Sequence, residues 1–464
     1  MRSRALPKVL HGFAGRSMLG HALAAFASLE PDQTIVVVGH RRDEVTAHLG
    51  EIAPEATPVV QDEQNGTGHA TRLALAAVDP GAAGTVLVLP GDAPLLRAET
   101  LAALVEAHET SGAAATLLTS IVDDPTGYGR VLRDGSGAIT GIVEHKDASA
   151  EQLEVTEIGT AIYAFDHAAL RDAVGRLTTD NAQGEEYLPD VIGIFVAEGK
   201  TVGALIAPAS ETAGVNDRVQ LAAAHRVYND RLVEGHQRAG VSVIDPASTW
   251  IDAGVTIEPD VTLLPNTDLH GATHIGAGAI VGPQCSLTDT TVGEDATLDR
   301  VVAKSASIGA RVTIGPFAYL RPGTQLADDV HIGTYVELKN SEVGEGSKVP
   351  HLTYVGDATI GHHSNIGAAT VFVNYDGVNK HRSVIGNHAR TGADNMFVAP
   401  VNVGDGAYTG AGAVITGDVP PGALARSSAR QQNVAGWVAQ RRPGTAAAEA
   451  AARAEGAETD EDGA

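Results

Sequence analysis

Three groups of residues in this 464-residue chain are of types that do chemistry. His351, in VPHLTY, carries an imidazole that titrates near neutral pH and can accept a proton. Arg321, in RPGTQL, and Lys339, in VELKNS, are cations of the kind that hold an anionic group on a ligand. Asp92, in PGDAPLL, can hold Mg²⁺, and Asn216, in GVNDR, can add a second oxygen, a small hard donor set of the sort Mg²⁺ takes. Each has a plain structural alternative. A lone His in a repeat is more often structural, an Asp in PGDAP can cap a turn, and Arg321 and Lys339 can be solvated charges.

The elements that must position these residues differ between the two halves of the chain. In the first half, residues 34–40 (TIVVVGH) and 85–89 (TVLVL) predict buried strands, with helical periodicity around 99–108 and 167–176. Strand–helix alternation predicts a layered α/β domain with a mostly parallel sheet. Ligands of such sheets collect at the C-terminal strand ends, where PGDAPLL falls. One helix of mixed polarity from Asn216 to about Arg238 connects to the second half.

There, Ile251, Ile257, Leu263, Leu269, Ile275, Val281 and Leu287 recur every six residues. After a phase slip the series resumes at Ile308, Ile314, Leu320, Leu326, Ile332 and Leu338, with echoes at Ile360, Ile366 and Phe372. One inward aliphatic and a turn-forming Gly per six residues builds a flat face, and three faces make one coil of a prism. Coils pair their backbones with those above and below, so stacking satisfies burial and hydrogen bonding together. The segment 374–382, NYDGVNKHR, breaks this rhythm and predicts a binding loop.

Composition bounds the rest. Aromatics are only 4% and glycines number 53, which suits thin stacked layers. The net charge of −25 argues against nucleic acid as a partner. A few local cations can still favour a small phosphorylated substrate. A single cysteine, Cys285, and the lack of a long apolar run fit a soluble cytoplasmic protein with no membrane contact.

PKVLHGFAGRSML, NGTGHA, PGDAPL, GYGRV, VEHKDA, NAQGEEYLPD and GVNDR, in that order, resemble the uridyltransferase segments of the bacterial bifunctional N-acetylglucosamine-1-phosphate uridyltransferase/glucosamine-1-phosphate acetyltransferase family. RPGTQL, VELKNS, VPHLTYVGDATIG, SNIGA, VFVNYDGVNKHR and APVNVGDGA resemble its acetyltransferase segments. Any one segment is weak, whereas the ordered set is specific and spans nearly the whole chain. The resemblance implies a Rossmann-like α/β nucleotidyltransferase domain over 1–215, a helical linker over 216–240 and a left-handed parallel β-helix over 241–434. An acidic, Ala-rich tail over 435–464 is expected to be disordered, with room for a short helix. The implied activity is acetyl-CoA-dependent N-acetylation of glucosamine 1-phosphate, then uridylyl transfer from UTP to N-acetylglucosamine 1-phosphate with Mg²⁺. The product would be UDP-N-acetylglucosamine, and the implied assembly is a homotrimer with active sites at subunit contacts.

Carried onto this sequence, the resemblance makes His351 the general base. Arg321 and Lys339 become the phosphate-binding cations, with Tyr354 and Asn365 as sugar contacts. Ala368, Asn374, Tyr375, Ala393, Ala411 and Ser428 then fall near acetyl-CoA. In the first half, Lys8 would face the phosphates, and Gln61, Gly66 and Thr67 the uracil. Gly129, Glu144 and Gly159 would meet the sugar, and Asp92 and Asn216 the metal. The chain also departs from the pattern. It begins at Met1 where the final Met of the family's LAAGxGTRM loop would stand, so a truncated N-terminus lacking that loop and its strand is expected. Gly159 stands in place of Asn, Ala369 of Gly, Ala393 of Ser and Ser428 of the Arg of some members. Other readings are an acetyltransferase alone, because the nucleotide loop is absent, or a structural hexapeptide-repeat protein. A zinc enzyme built on His331, His351, His362, His363 and His388 is a further one, but it leaves Arg321 and Lys339 without a role.

Overall fold

The computed structural model describes Met1, Ser3 and residues 6–79, 81–427 and 431–461, with 456–461 described by backbone alone. The strands expected near 34–40 and 85–89 form at Ile35–Val38 and Thr85–Val88, and the helices at Ala98–Ser111 and His167–Val174. The sheet differs from the one expected. Among the described residues, Ile35–Val38 pairs in parallel with Thr57–Val60 as a separate two-stranded sheet. The main sheet has six strands, of which only Val202–Ile206 and Ala115–Ile121 pair in parallel. The cause is the ten-residue strand Glu157–Asp166, which runs antiparallel between Thr85–Val88 and Ala115–Ile121. Burial of Ile162, Ala164 and Phe165 at 0% exposure explains why so long a strand occupies that central place.

The connector is one helix, Arg218–Arg238, capped by the Asp217 carboxylate on the Gln220 amide at 2.8 Å. It fastens the two halves together. The buried Asn229 donates to the Thr249 carbonyl at 2.8 Å and accepts from the Ile251 amide at 2.9 Å, closing onto the first coil. Arg231 reaches back to the Leu95 carbonyl at 2.6 Å.

From Ser242 the chain winds into three parallel sheets of seven, ten and nine strands. Every aliphatic in the six-residue series is buried except Ile257, which is half-buried. Each contributes about 2 kcal/mol of burial. Ile251 registers with Leu269 and Leu269 with Leu287, eighteen residues per coil. Leu287 registers with Ala303, so the phase slip is a short coil of sixteen. Phe372 registers with Phe397, so the insertion at 374–382 lies within one long coil of twenty-five. Trp437–Arg441 and Ala446–Glu461 are helical, as the high helix propensity of consecutive Ala residues favours. No helix among the described residues is long and apolar enough to cross a membrane.

Candidate active sites

In the front half, Lys8 opens a short 3₁₀ turn, and its ammonium reaches two distant oxygens. It pairs with the Asp92 carboxylate and lies 2.6 Å from Asn216 Oδ1. Backbone pairing sets this up, because the Val215 amide donates to the Asp92 carbonyl at 3.0 Å and brings GVND against the end of the strand Thr85–Val88. Two oxygens, one of them anionic, therefore converge on a single cation. No group of three or more His, Cys, Asp or Glu among the described residues could hold a metal. A two-oxygen site still fits Mg²⁺, which keeps waters and takes phosphate oxygens to complete its shell.

Gln61, Gly66 and Thr67 come together at the start of the helix Thr67–Ala77. Gln61 Nε2 donates to the Gly66 carbonyl at 3.1 Å. Gly66 has φ +102°, and a Cβ there would lie 2.4 Å from the Glu186 carbonyl oxygen, so only glycine fits. The Thr67 hydroxyl is taken up by the Leu188 amide at 3.0 Å, clasping the NGTG and EEYL segments to each other. Gly129 and Gly159 also meet, with the Gly159 amide on the Gly129 carbonyl at 3.0 Å. Glu144 stands beside them, its Oε1 3.3 Å from where a Gly129 Cβ would be. Burial, with Asp190 and Asp147 nearby, pushes the Glu144 carboxyl up from its ordinary range. A side chain at 159 would make only ordinary contact with Ile142 at 3.6 Å, so the space there does not require glycine.

In the second half the chemistry gathers on the ten-stranded face. Glu337–Lys339 lies between Ala318–Leu320 and Tyr354–Gly356 in the ladder, so Arg321, Lys339 and Tyr354 come from successive coils. Arg321 donates to Glu337 Oε1 at 2.9 Å, and Lys339 Nζ lies 3.4 Å from Asp357 Oδ2. Asn374 Nδ2 bonds Asp357 and lies 3.5 Å from the Tyr354 hydroxyl. His351 ends the strand Lys348–His351 on the adjoining face, exposed to solvent, one corner away from Tyr354. The corner is made by Leu352 at φ +51°, with the Thr353 hydroxyl on the His351 carbonyl at 2.7 Å.

The expected acetyl-CoA positions divide. Ala368, Ala393 and Ala411 follow Gly367, Gly392 and Gly410 on successive coils, forming a column of small residues. Ala369 sits at a corner with φ +58°, its amide on the His351 carbonyl at 3.1 Å, which is the physical reason glycine suits that position. Asn365 lies in the next coil, its amide on the Ala389 carbonyl at 2.9 Å. Tyr375 is exposed, and its hydroxyl is spent on the Gly377 carbonyl at 2.6 Å within its own loop. Ser428 lies outside the described residues.

Sequence reasoning passed over Lys380. It sits in the insertion opposite Tyr375, and the neighbouring Lys339 lowers its pKa. Lys380 thus feels the charges of Lys339 and Arg321, an arrangement that an anion relieves. A lone Lys inside a polar insertion was the available signal.

Residues 1–181 match the family model of the MobA-like NTP transferase domain. A Streptomyces coelicolor protein named bifunctional protein GlmU is 57% identical over 449 residues, covering 96% of this chain and 93% of that protein. Proteins of the same name from Thermobifida fusca and Mycolicibacterium vanbaalenii are 59% and 56% identical, covering 98% and 95% of this chain and 94% and 91% of their own lengths.

Proposed function

The chain belongs to the family of bifunctional GlmU proteins, and on that premise we propose that it makes UDP-N-acetylglucosamine in two steps. Its second half transfers acetyl from acetyl-CoA to the amine of glucosamine 1-phosphate. Its first half transfers uridylyl from UTP to N-acetylglucosamine 1-phosphate and releases pyrophosphate. The observation that carries the reading is the placement of Arg321, Lys339 and Tyr354 on successive coils of one face, one corner from His351. That is an anion site for a sugar phosphate with a base at its rim.

In acetyl transfer, Arg321 and Lys339 hold the phosphate and Tyr354 and Asn365 the sugar. The neutral amine attacks the thioester carbonyl, His351 accepts the proton the nitrogen sheds, and as the C–S bond breaks that proton passes to the sulfur so that CoA leaves as the thiol. The Ala368, Ala393 and Ala411 column leaves room for the pantetheine arm, and Asn374 and the Tyr375 loop border it. In uridylyl transfer, Gln61, Gly66 and Thr67 face the uracil, and Gly129, Glu144 and Gly159 the sugar. Asp92 and Asn216 would hold a Mg²⁺ ion, which would supply charge neutralisation at the phosphates. Lys8 turns from those two oxygens to the phosphates. The assembly is a homotrimer in the cytoplasm, where both co-substrates are made. The exposed, stacked rings of Phe317 and Tyr335, 5.4 Å apart on one prism corner, support burial against another subunit.

Free CoA should appear when the chain meets acetyl-CoA and glucosamine 1-phosphate, and pyrophosphate when it meets UTP, Mg²⁺ and N-acetylglucosamine 1-phosphate. Failure of either reaction removes that half of the reading. Sedimentation at the mass of one chain would remove the trimer.

A further inference from the structure

Asp357 is a buried carboxylate at the centre of the acetyl-transfer residues, and none of the roles above uses it. It occupies the corner after Tyr354–Gly356 with φ +49°, its amide on the Lys339 carbonyl at 3.0 Å. Its side chain, 11% exposed, accepts from Asn340 Nδ2 at 2.7 Å and from Asn374 Nδ2, and lies 3.4 Å from Lys339 Nζ. Burial pushes this carboxyl up, but the hydrogen bonds from Asn340 and Asn374 and the Lys339 charge outweigh it and hold the pKa below the ordinary value. The partners come from two chain segments, and a single oxygen, Oδ2, serves both Lys339 and Asn374.

The surroundings are shaped for this contact. A Cβ on Gly356 would lie 2.4 Å from the Tyr354 hydroxyl and 2.6 Å from Asn374 Nδ2, so both side chains lie across a glycine. Lys339 also acts on Lys380, a like charge. The carboxylate is the counter-charge that holds the Lys339 ammonium in place before any phosphate arrives.

We propose that Asp357 is a positioning residue for acetyl transfer that couples the two substrate subsites, orienting Lys339 on the phosphate side and Asn374 on the acetyl-CoA side. The inference rests on the acetyltransferase reading above. A carboxylate can accept from all three donors at once. An amide at 357 keeps the size but turns an N–H₂ toward at least one of those donors and removes the charge. Ordering Lys339 beforehand lowers the entropy lost when substrate binds.

The test is steady-state acetyl transfer by unmodified chain, Asp357→Asn and Asn340→Gly, with thermal midpoints recorded alongside. Asp357→Asn is expected to raise KM for glucosamine 1-phosphate about tenfold and KM for acetyl-CoA as well, with a smaller fall in kcat, as loss of one charged hydrogen bond implies. Asn340→Gly accepts the left-handed backbone (φ +47°) and removes only the amide that braces Asp357. It is expected to raise the same two constants by a smaller factor at an unchanged midpoint, and so serves if Asp357→Asn folds poorly. Both constants staying at the unmodified values in either folded variant overturns the coupling. If the unmodified chain itself releases no CoA, the acetyltransferase reading falls, and the coupling with it.

Discussion

The Lys8 ammonium lies 2.6 Å from the side-chain oxygen of Asn216, a residue 208 positions further along the chain, while it also pairs with Asp92. One protonated amine therefore occupies the point where both expected metal ligands converge. On the proposed reading, Lys8 and a divalent cation would compete for those oxygens until phosphate gave the ammonium another partner. Lys8→Met is expected to tighten Mg²⁺ binding to nucleotide-free protein, measured by titration calorimetry. The same variant should lose uridylyl transfer by roughly 30-fold or more, the worth of a charge-assisted contact. Acetyl transfer should not change, and chelation by EDTA should divide the two activities in the same way.

His351 ends its strand with an exposed ring, one corner before Tyr354. Its replacement should act on turnover. His351→Ala is expected to lower kcat for acetyl transfer by about 100-fold or more, with KM for both substrates nearly constant. Unaltered kcat would take His351 out of the mechanism.

His21 is packed among Phe13 and Tyr228, with Nε2 2.6 Å from the Phe13 carbonyl. Burial lowers its pKa to about 4, despite that hydrogen bond and the more distant Asp252. Between its ordinary value of 6.5 and 4 the unfolded chain binds a proton that the folded chain refuses. Stability from this group is therefore full above pH 6.5 and falls as pH drops toward 4, by about 3 kcal/mol in all. Urea unfolding at stepped pH should show His21→Gln with a shallower loss over that window. Identical slopes would refute the assignment. His270, whose pKa Asp252 raises, works in the opposite direction and is common to both proteins.

The tightness of the coils is testable at two glycines. A Cβ on Gly333 would sit 1.8 Å from the Pro350 carbonyl oxygen, next to His351 in the chain. Gly406 has φ +63° with open space around it. Gly333→Ala is expected to cost more than about 3 kcal/mol, because backbone must move, and Gly406→Ala about 1 kcal/mol, for φ alone. Denaturation midpoints of the two variants settle the order, and equal losses would contradict the stacking.

Part of the site was readable from residue order. His351, Arg321, Lys339 and Tyr354 lie in quoted segments, and the register of successive coils carries the last three onto one face. Lys380 and Asp357 were within quoted segments too, NYDGVNKHR and VPHLTYVGDATIG, but their importance was not. Lys380 matters because its loop folds back through the Tyr375 bridge, and Asp357 because a corner turns its carboxylate inward. Tyr375 shows the reverse, a residue assigned to the site whose hydroxyl is closed into its own loop.

The sequence by itself determined the prism. A six-residue period is a local pattern, and burial of each inward aliphatic follows from it without reference to distant residues. What only the tertiary structure decided were the pairings between remote segments. These include the antiparallel Glu157–Asp166 strand at the heart of the front sheet, the meeting of Lys8 with Asp92 and Asn216, and the carboxylate shared by Lys339 and Asn374. Such contacts offset the entropy of closing long loops with energy from groups that no local period relates, so no spacing along the chain announces them.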